Sequence, residues 1–198
     1  MFLYKPGIGV VMSTVEVERK SKHPTVLRTF RLAKSLDEAL SKDASRRKIG
    51  KNALIVSILN KYVEWDSPVS DFGYMTVPGE MVARMLAGLD KETVYAIARL
   101  VSKSVASSIP LWYGSAGLES LLKYMETSVN YTGAHLPNRI YREGDKVRVI
   151  VYQPFNENGS AWARGFNTGL VENVLGYPPK IVEHANSIET IIEIKDST

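Results

Sequence analysis

Apolar and polar residues alternate in a short stretch near the start of the chain, residues 26–32. In an extended backbone successive side chains point to opposite faces. Phe30 and Leu32 therefore share one face, and Thr29 and Arg31 share the other. The pattern predicts a β-strand with one face that packs on a core and one that is free for contacts.

Helical spacing follows this strand. Apolar residues recur every three or four positions in residues 35–44, where Ser35 and Glu38 are typical of a capping box at a helix start. Gly50 interrupts the pattern, and residues 52–63 resume it. The sequence thus predicts a strand followed by two helices.

Three more helices are predicted in the middle of the chain. Residues 80–89 follow Pro78, which suits a helix start, and Asp90 is a plausible cap for a helix over residues 91–108. Residues 115–128 have apolar side chains at helical spacing as well.

The last third of the chain changes to a period of two. We predict two β-hairpins, in which residues 138–142 pair with 146–152 and residues 180–185 pair with 188–195. A helix between the hairpins is predicted to begin with Ser160 as its cap and to end at Leu175. The inner face of the last strand is predicted to carry Ile188, Thr190, Ile192 and Ile194.

These elements predict an α+β protein in which the carboxy-terminal sheet is mainly antiparallel. Proline, glycine and small polar residues near residues 66–73 are typical of a connector, so we place a linker at residues 67–77. The predicted units are a flexible basic arm (1–23), a strand-helix-helix domain (24–66) and an α+β dimerisation or sensor domain (78–198).

The strand-helix-helix order and spacing of residues 26–65 resembles the ribbon-helix-helix family of DNA-binding proteins, which includes the Arc and MetJ repressors. The resemblance rests on the run Thr29-Phe30-Arg31-Leu32, the apolar Leu36 and Leu40, the turn near residues 46–50, and Lys51-Asn52 at the start of the second helix. It covers a fifth of the chain. It implies an obligate homodimer, in which two strands form a ribbon that enters the major groove of double-stranded DNA, and it leaves open whether two dimers pair into a tetramer.

The resemblance also implies site residues. Leu27, Thr29 and Arg31 are the expected base-contacting positions, although Leu27 departs from the polar residue usual there. Backbone N–H groups at the start of the second helix are expected to hold a DNA phosphate, and Asn52 stands where the family commonly has serine. The expected phosphate-contacting residues are Arg47, Lys48, Lys51 and Asn52.

Charge supports a nucleic-acid partner for this region. The whole chain carries a net charge of +4, whereas residues 16–51 contain 11 basic and 5 acidic residues, a net of +6. The positive charge therefore lies on the predicted DNA-binding element, as a surface that faces phosphates requires.

Other chemistry is weakly represented. The chain has no cysteine and only three histidines, in three separate segments, so we predict no metal site and no cofactor. No pair of carboxylates suggests catalysis, and we predict that the protein is not an enzyme. Gly165 and Gly169 are interpreted as sites of close helix packing rather than a phosphate-binding loop.

Aromatic residues are frequent in the predicted carboxy-terminal domain, and aromatic walls with a few polar groups are typical of small-molecule pockets. A protein core or a dimer interface explains the same residues. The candidate pocket residues for a small-molecule effector are Trp112, Tyr113, Tyr124, Tyr152, Trp162 and Phe166.

The hypothesis that joins these observations is a dimeric, sequence-specific transcriptional regulator, such as a repressor, located in the cytoplasm. Two alternatives remain: an antitoxin-type autoregulator that binds a partner protein, and a cofactor-binding or enzymatic carboxy-terminal domain. The first eleven residues contain Pro6, Gly7 and Gly9 and predict neither a membrane span nor a signal peptide, and Met12 is an alternative start to Met1.

Overall fold

The computed structural model describes residues 26–75, 77–131, 138–152 and 157–195, and the predicted arm, residues 1–23, lies outside them. The described residues form helices and one antiparallel sheet, which confirms the α+β class. The helices are α1 (Lys34–Arg47), α2 (Lys51–Lys61), a π-helical segment (Tyr62–Asp66), α3 (Ser67–Asp71), α4 (Gly79–Ala87), α5 (Lys91–Tyr113), α6 (Leu118–Tyr131) and α7 (Glu157–Leu175). The strands are β1 (Asn138–Glu143), β2 (Lys146–Tyr152), β3 (Lys180–His184) and β4 (Ser187–Glu193).

Residues 26–33 have no regular secondary structure in the single chain, and their side chains are exposed. A β-strand needs a neighbouring strand for its backbone hydrogen bonds. Because the predicted ribbon pairs with the same strand of a second subunit, one chain alone leaves it without that neighbour. The ribbon stays a prediction, while α1 and α2 lie where two helices were predicted.

Of the three predicted serine and aspartate caps, only Asp90 is confirmed. Its carboxylate accepts a hydrogen bond from the backbone N–H of Thr93 at 2.8 Å. Ser35 and Ser160 do not cap helices, because α1 begins one residue before Ser35 and α7 begins three residues before Ser160. Both serines have helical backbone, whereas a capping residue must be extended. Ala33 stands at the N-cap of α1 without a side-chain bond, so the predicted capping box is wrong.

The first part of the predicted linker is helical rather than coil. The chain continues from α2 through the π-helical segment into α3, which spans residues predicted to be a connector. Pro68 lies in the first turn of α3, directly after the π-helical segment. Burial explains the helix: Trp65 is only 7% exposed, and Val69 packs against the same hydrophobic cluster.

The four strands are antiparallel to their neighbours in the order β1-β2-β4-β3, which confirms both predicted hairpins. Gly144 adopts a positive φ of 60° in the first turn, a conformation that glycine reaches at no steric cost. The predicted inner face is also confirmed, because Ile188, Thr190 and Ile192 are fully buried and Ile194 packs against the core. Helices α6 and α7 contact this sheet.

Close packing of α7 on α5 explains the two helical glycines. A Cβ atom at Gly165 would lie 2.5 Å from the backbone oxygen of Tyr95, and one at Gly169 would lie 2.1 Å from the Ser102 hydroxyl oxygen. The interpretation as packing sites is confirmed. Helix α5 runs beyond its predicted end at Ser108 because Ile109, fully buried in the core, keeps the next turn packed.

Glu189 lies on the face of the sheet opposite to Thr190, in an ion pair network. Arg148 Nε donates to one carboxylate oxygen at 2.5 Å, and His184 Nε2 lies 3.2 Å from the other. The hydrogen bond from Arg148 holds the pKa of Glu189 below its ordinary value, against the opposing effect of burial. The lowered pKa links folding stability to pH.

Replacing Glu189 with glutamine is expected to flatten the acid side of the stability profile. A carboxyl whose pKa is lowered by folding stabilises the native state above its unfolded pKa, and this contribution is lost as pH falls through the folded pKa. The free energy of unfolding of the wild-type protein should thus fall more steeply below about pH 5 than that of Glu189→Gln. Denaturant titrations at several pH values measure this. The matched control is Glu143→Gln, which removes the other, 55% exposed partner of Arg148; an equal flattening by both variants contradicts the assignment.

Candidate nucleic-acid interface

The predicted base-contacting residues lie together on one exposed segment. Leu27, Thr29 and Arg31 are all exposed in residues 26–33, directly before α1. Phe30 and Leu32, predicted to pack on a core, are also exposed, at 58% and 36%. The single chain therefore leaves both faces of this segment accessible.

The turn between α1 and α2 presents a helix N-terminus without a side-chain cap. Lys48 ends α1 in a left-handed conformation with a φ of 57°, and the extended Gly50 precedes α2. Gly50 occupies the N-cap position but has no side chain that could accept a hydrogen bond. Asn52 does not cap the helix, because it is already the second residue of α2. The first N–H groups of α2, at Lys51 and Asn52, thus have no side-chain partner, and together with the positive end of the helix dipole they suit an anion.

Two of the four predicted phosphate contacts already have acidic partners. Arg47 Nε donates to Asp43 at 2.9 Å, and Lys51 Nζ lies 2.7 Å from Asp37. Arg46 donates to Asp43 as well and is the main cause of the lowered pKa of that carboxyl. A phosphate must compete with these partly exposed carboxylates, whose ion pairs with the basic side chains are weak in water.

Lys48 and Asn52 differ from that pair. Within the described part of the chain, neither side chain has an ion pair or a hydrogen bond. Sequence reasoning missed the acidic partners, although Asp43 and Arg47 stand at the i, i+4 spacing that favours a helical ion pair.

The helix pair α1–α2 has almost no core of its own. In residues 26–63 the buried hydrophobic side chains are Ala44 and Leu54. Many others lie on the outside, and we call them the amino-terminal apolar surface: Val26, Leu27, Phe30, Leu32, Leu36, Ile49, Val56, Ile58, Leu59, Tyr62 and Val63. Apolar surface of this extent marks a region that another molecule covers.

The π-helical segment joins this unit to the carboxy-terminal core. Trp65 packs on Trp112, with ring centroids 5.4 Å apart. The hydroxyl of Tyr131 in α6 donates to Glu64 at 2.8 Å, and Lys123 Nζ lies 4.0 Å from the same carboxylate. Burial, with this carboxylate as a second cause, raises the pKa of Tyr131 to about 12. Contacts on two sides therefore fix the end of α2.

The candidate pocket residues divide between two places. Tyr124, Trp162 and Phe166 line a cavity of about 180 Å³. Trp112 and Tyr113 instead belong to an aromatic cluster with Trp65. The rings of Trp112 and Tyr113 stack, with their centroids 5.6 Å apart. Tyr152 does not line the cavity either, because its neighbour Val151 does and adjacent strand residues point to opposite faces. Three of the six candidate residues therefore line this cavity, and a pocket formed by all six stays a prediction.

Among the described residues, no three side chains of the types that bind metal ions lie together. His184 pairs with Glu189, and His23 and His135 lie outside the described residues. None of the helices in the described ranges combines the length and apolar composition that a membrane-spanning helix needs.

Comparison with family models and with curated proteins finds no match for the chain. Its function must therefore be argued from its own residues.

Proposed function

We propose that the protein is a dimeric, sequence-specific DNA-binding transcriptional regulator that places a two-stranded β-ribbon in the major groove. The observation that carries this proposal is the amino-terminal apolar surface, since two buried side chains do not stabilise a helix pair with so many exposed apolar residues. A second copy of the same surface is the partner that a symmetric dimer supplies.

Antiparallel pairing of residues 26–32 from two subunits satisfies their backbone hydrogen-bonding groups. It also turns Phe30 and Leu32 of both chains to one face, against the exposed apolar side chains of α1 and α2. Thr29 and Arg31 then occupy the opposite face, which is the face available to DNA. An arginine there reaches the O6 and N7 atoms of guanine with two hydrogen bonds.

Phosphate contacts complete the proposed interface. The uncapped start of α2 offers backbone N–H donors, with Lys48 beside them in the preceding turn. Arg47 and Lys51 contribute when phosphate displaces Asp43 and Asp37. The net charge of +6 over residues 16–51 attracts DNA to this part of the molecule. In this proposal the carboxy-terminal domain strengthens the dimer or senses an effector, and the regulator acts in the cytoplasm.

Selection of DNA from a random pool tests the proposal. The wild-type protein should recover a palindromic or repeated half-site, and Arg31→Ala should lose discrimination of about 1–3 kcal/mol for each base contact. The matched control is Arg28→Ala, which removes the same charge from the opposite, Phe30 side of the segment. Equal loss of sequence preference in both variants contradicts base contact by Arg31.

Lys51→Ala separates phosphate contact from base contact. It should weaken binding to all DNA sequences alike and reduce the slope of the logarithm of affinity against that of salt concentration by about one per contact. Recovery of no preferred sequence by the wild-type protein, at any salt concentration, overturns the proposed function.

A further inference from the structure

A cavity lies between α6, α7 and β2, and its size and lining suit a small ligand. Its volume is about 180 Å³, and its walls come from Tyr124 and Ser128 of α6, Val151 of β2, and Trp162, Phe166 and Asn167 of α7. An engineered apolar cavity of about 150 Å³ binds benzene, whereas drug-sized ligands need roughly 300 Å³ or more. The space therefore suits one aromatic ring with one or two further atoms.

The walls of the cavity favour a flat ligand. Trp162 and Phe166 are one helical turn apart on α7, with ring centroids 6.4 Å apart and planes only 11° from parallel. Both side chains are half-buried. Ala163, next to Trp162, is small and leaves the space between the helices open. Two parallel rings offer their faces or edges to a third ring.

The charge of the lining excludes an ionised ligand. None of the described residues that line the cavity is an aspartate, glutamate, lysine, arginine or histidine. Tyr124 is the one titratable side chain among the described lining residues. Its hydroxyl lies 3.4 Å from that of Tyr74, and burial raises its pKa well above the ordinary value, so it stays neutral. A charge placed in this cavity would lose its hydration without gaining a counter-ion.

One polar group in the lining is prepared to accept a hydrogen bond. Asn167 is 6% exposed, and its side-chain nitrogen donates to the Thr190 hydroxyl at 2.9 Å. This bond fixes the orientation of the carboxamide. Within the described residues the Asn167 oxygen has no donor. A ligand that brings an O–H or N–H satisfies it.

We infer that this cavity binds a small, uncharged aromatic molecule with one hydrogen-bond donor, of the phenol or indole type. The ring lies among Trp162, Phe166 and Val151, and its donor bonds the oxygen of Asn167. The inference goes beyond the proposed function and does not depend on DNA binding, since it concerns the carboxy-terminal domain alone.

Ligand-observed ¹⁹F NMR with the full-length protein tests the inference with three matched probes. 4-Fluorophenol should show saturable line broadening that unlabelled phenol reverses. Fluorobenzene, which lacks the donor, should bind about tenfold more weakly, the equivalent of one hydrogen bond. 4-Fluorobenzoate, which is ionised at neutral pH, should not compete. Absence of saturable binding by 4-fluorophenol, or equal binding by 4-fluorobenzoate, overturns the inference.

A variant that fills the cavity tests whether the probe binds there. Ala163→Leu places a larger side chain in the cavity and should weaken 4-fluorophenol binding at least tenfold. Ala87→Leu makes the same change at an exposed position of α4 and should leave binding unchanged.

Circular dichroism checks that each variant is folded. Should Ala163→Leu not fold, the ranking of the three probes on the wild-type protein decides the inference. Binding that Ala163→Leu leaves intact in a folded protein overturns it. Because no DNA is present, failure here and failure of the proposed function are separate results.

Discussion

Replacing Trp65 with alanine is expected to lower the free energy of unfolding by about 3–5 kcal/mol, the usual cost of removing a large buried aromatic side chain. Trp65 is 7% exposed in the π-helical segment and belongs to the main hydrophobic cluster. Its ring contacts Trp112 at 5.4 Å and Tyr74 at 5.9 Å between centroids. The truncation leaves a cavity that a π-helical turn packed on both sides cannot close. Denaturant unfolding, followed at one fixed protein concentration, measures the loss.

The control is Leu100→Ala, a large apolar side chain on α5 that is 72% exposed and lies outside the amino-terminal apolar surface. It should cost far less, because its side chain is already in water. A comparable loss from the two variants contradicts the burial of Trp65 as the cause. The result also bears on domain organisation. If the two units were independent on either side of a boundary after residue 66, the loss of Trp65 would destabilise only the amino-terminal unit.

Replacing Gly165 with alanine is expected to lower the free energy of unfolding by about 2 kcal/mol. The new methyl group meets the backbone oxygen of Tyr95 at 2.5 Å and the Cβ atom of Ala98 at 3.1 Å. Forcing the helices apart costs about 3 kcal/mol, and the better helix propensity of alanine returns about 1 kcal/mol. The clash is with backbone, which cannot rotate away as a side chain can. Thermal and denaturant unfolding of the variant measure the effect.

Gly79→Ala is the matched control in the same experiment, and we expect it not to destabilise the protein. Gly79 is the first residue of α4, and an added Cβ meets nothing within 4 Å. This substitution should be neutral or stabilise the protein by up to about 1 kcal/mol, because it restricts only the unfolded chain. Gly165→Ala with unchanged stability would contradict the close approach of α5 and α7.

The sequence predicted most of the sheet because its signals are local. Alternation gives the strands of both hairpins, and turn residues such as Gly144 give their connections. The helix within the predicted linker has a tertiary cause. Pro68 and its small polar neighbours are typical of a connector, but the chain there is helical. The burial of Trp65 and Val69, which local composition does not report, decides the structure there.

The candidate sites show the same limit. Residues 26–32 and the start of α2 were found from spacing and charge, since both depend on neighbours along the chain. The cavity was only half found, because the assignment of Trp112 to one cluster and Trp162 to another depends on which helices meet. The bond between Asn167 and Thr190, 23 residues apart, gave no sequence signal at all.

The nearly continuous helical run from Lys51 to Asp71 has a mechanical consequence. At 1.5 Å per residue it spans roughly 30 Å, and Trp65 clamps it to the carboxy-terminal core. In a regulator with a coil between its domains, the tether stretches to match operators of unequal geometry. Under the proposed function, this stiff run would hold the carboxy-terminal domains of the dimer at one angle to the DNA. Such a dimer would tolerate little variation in the distance between half-sites, and an inserted base pair should weaken binding as strongly as a wrong one.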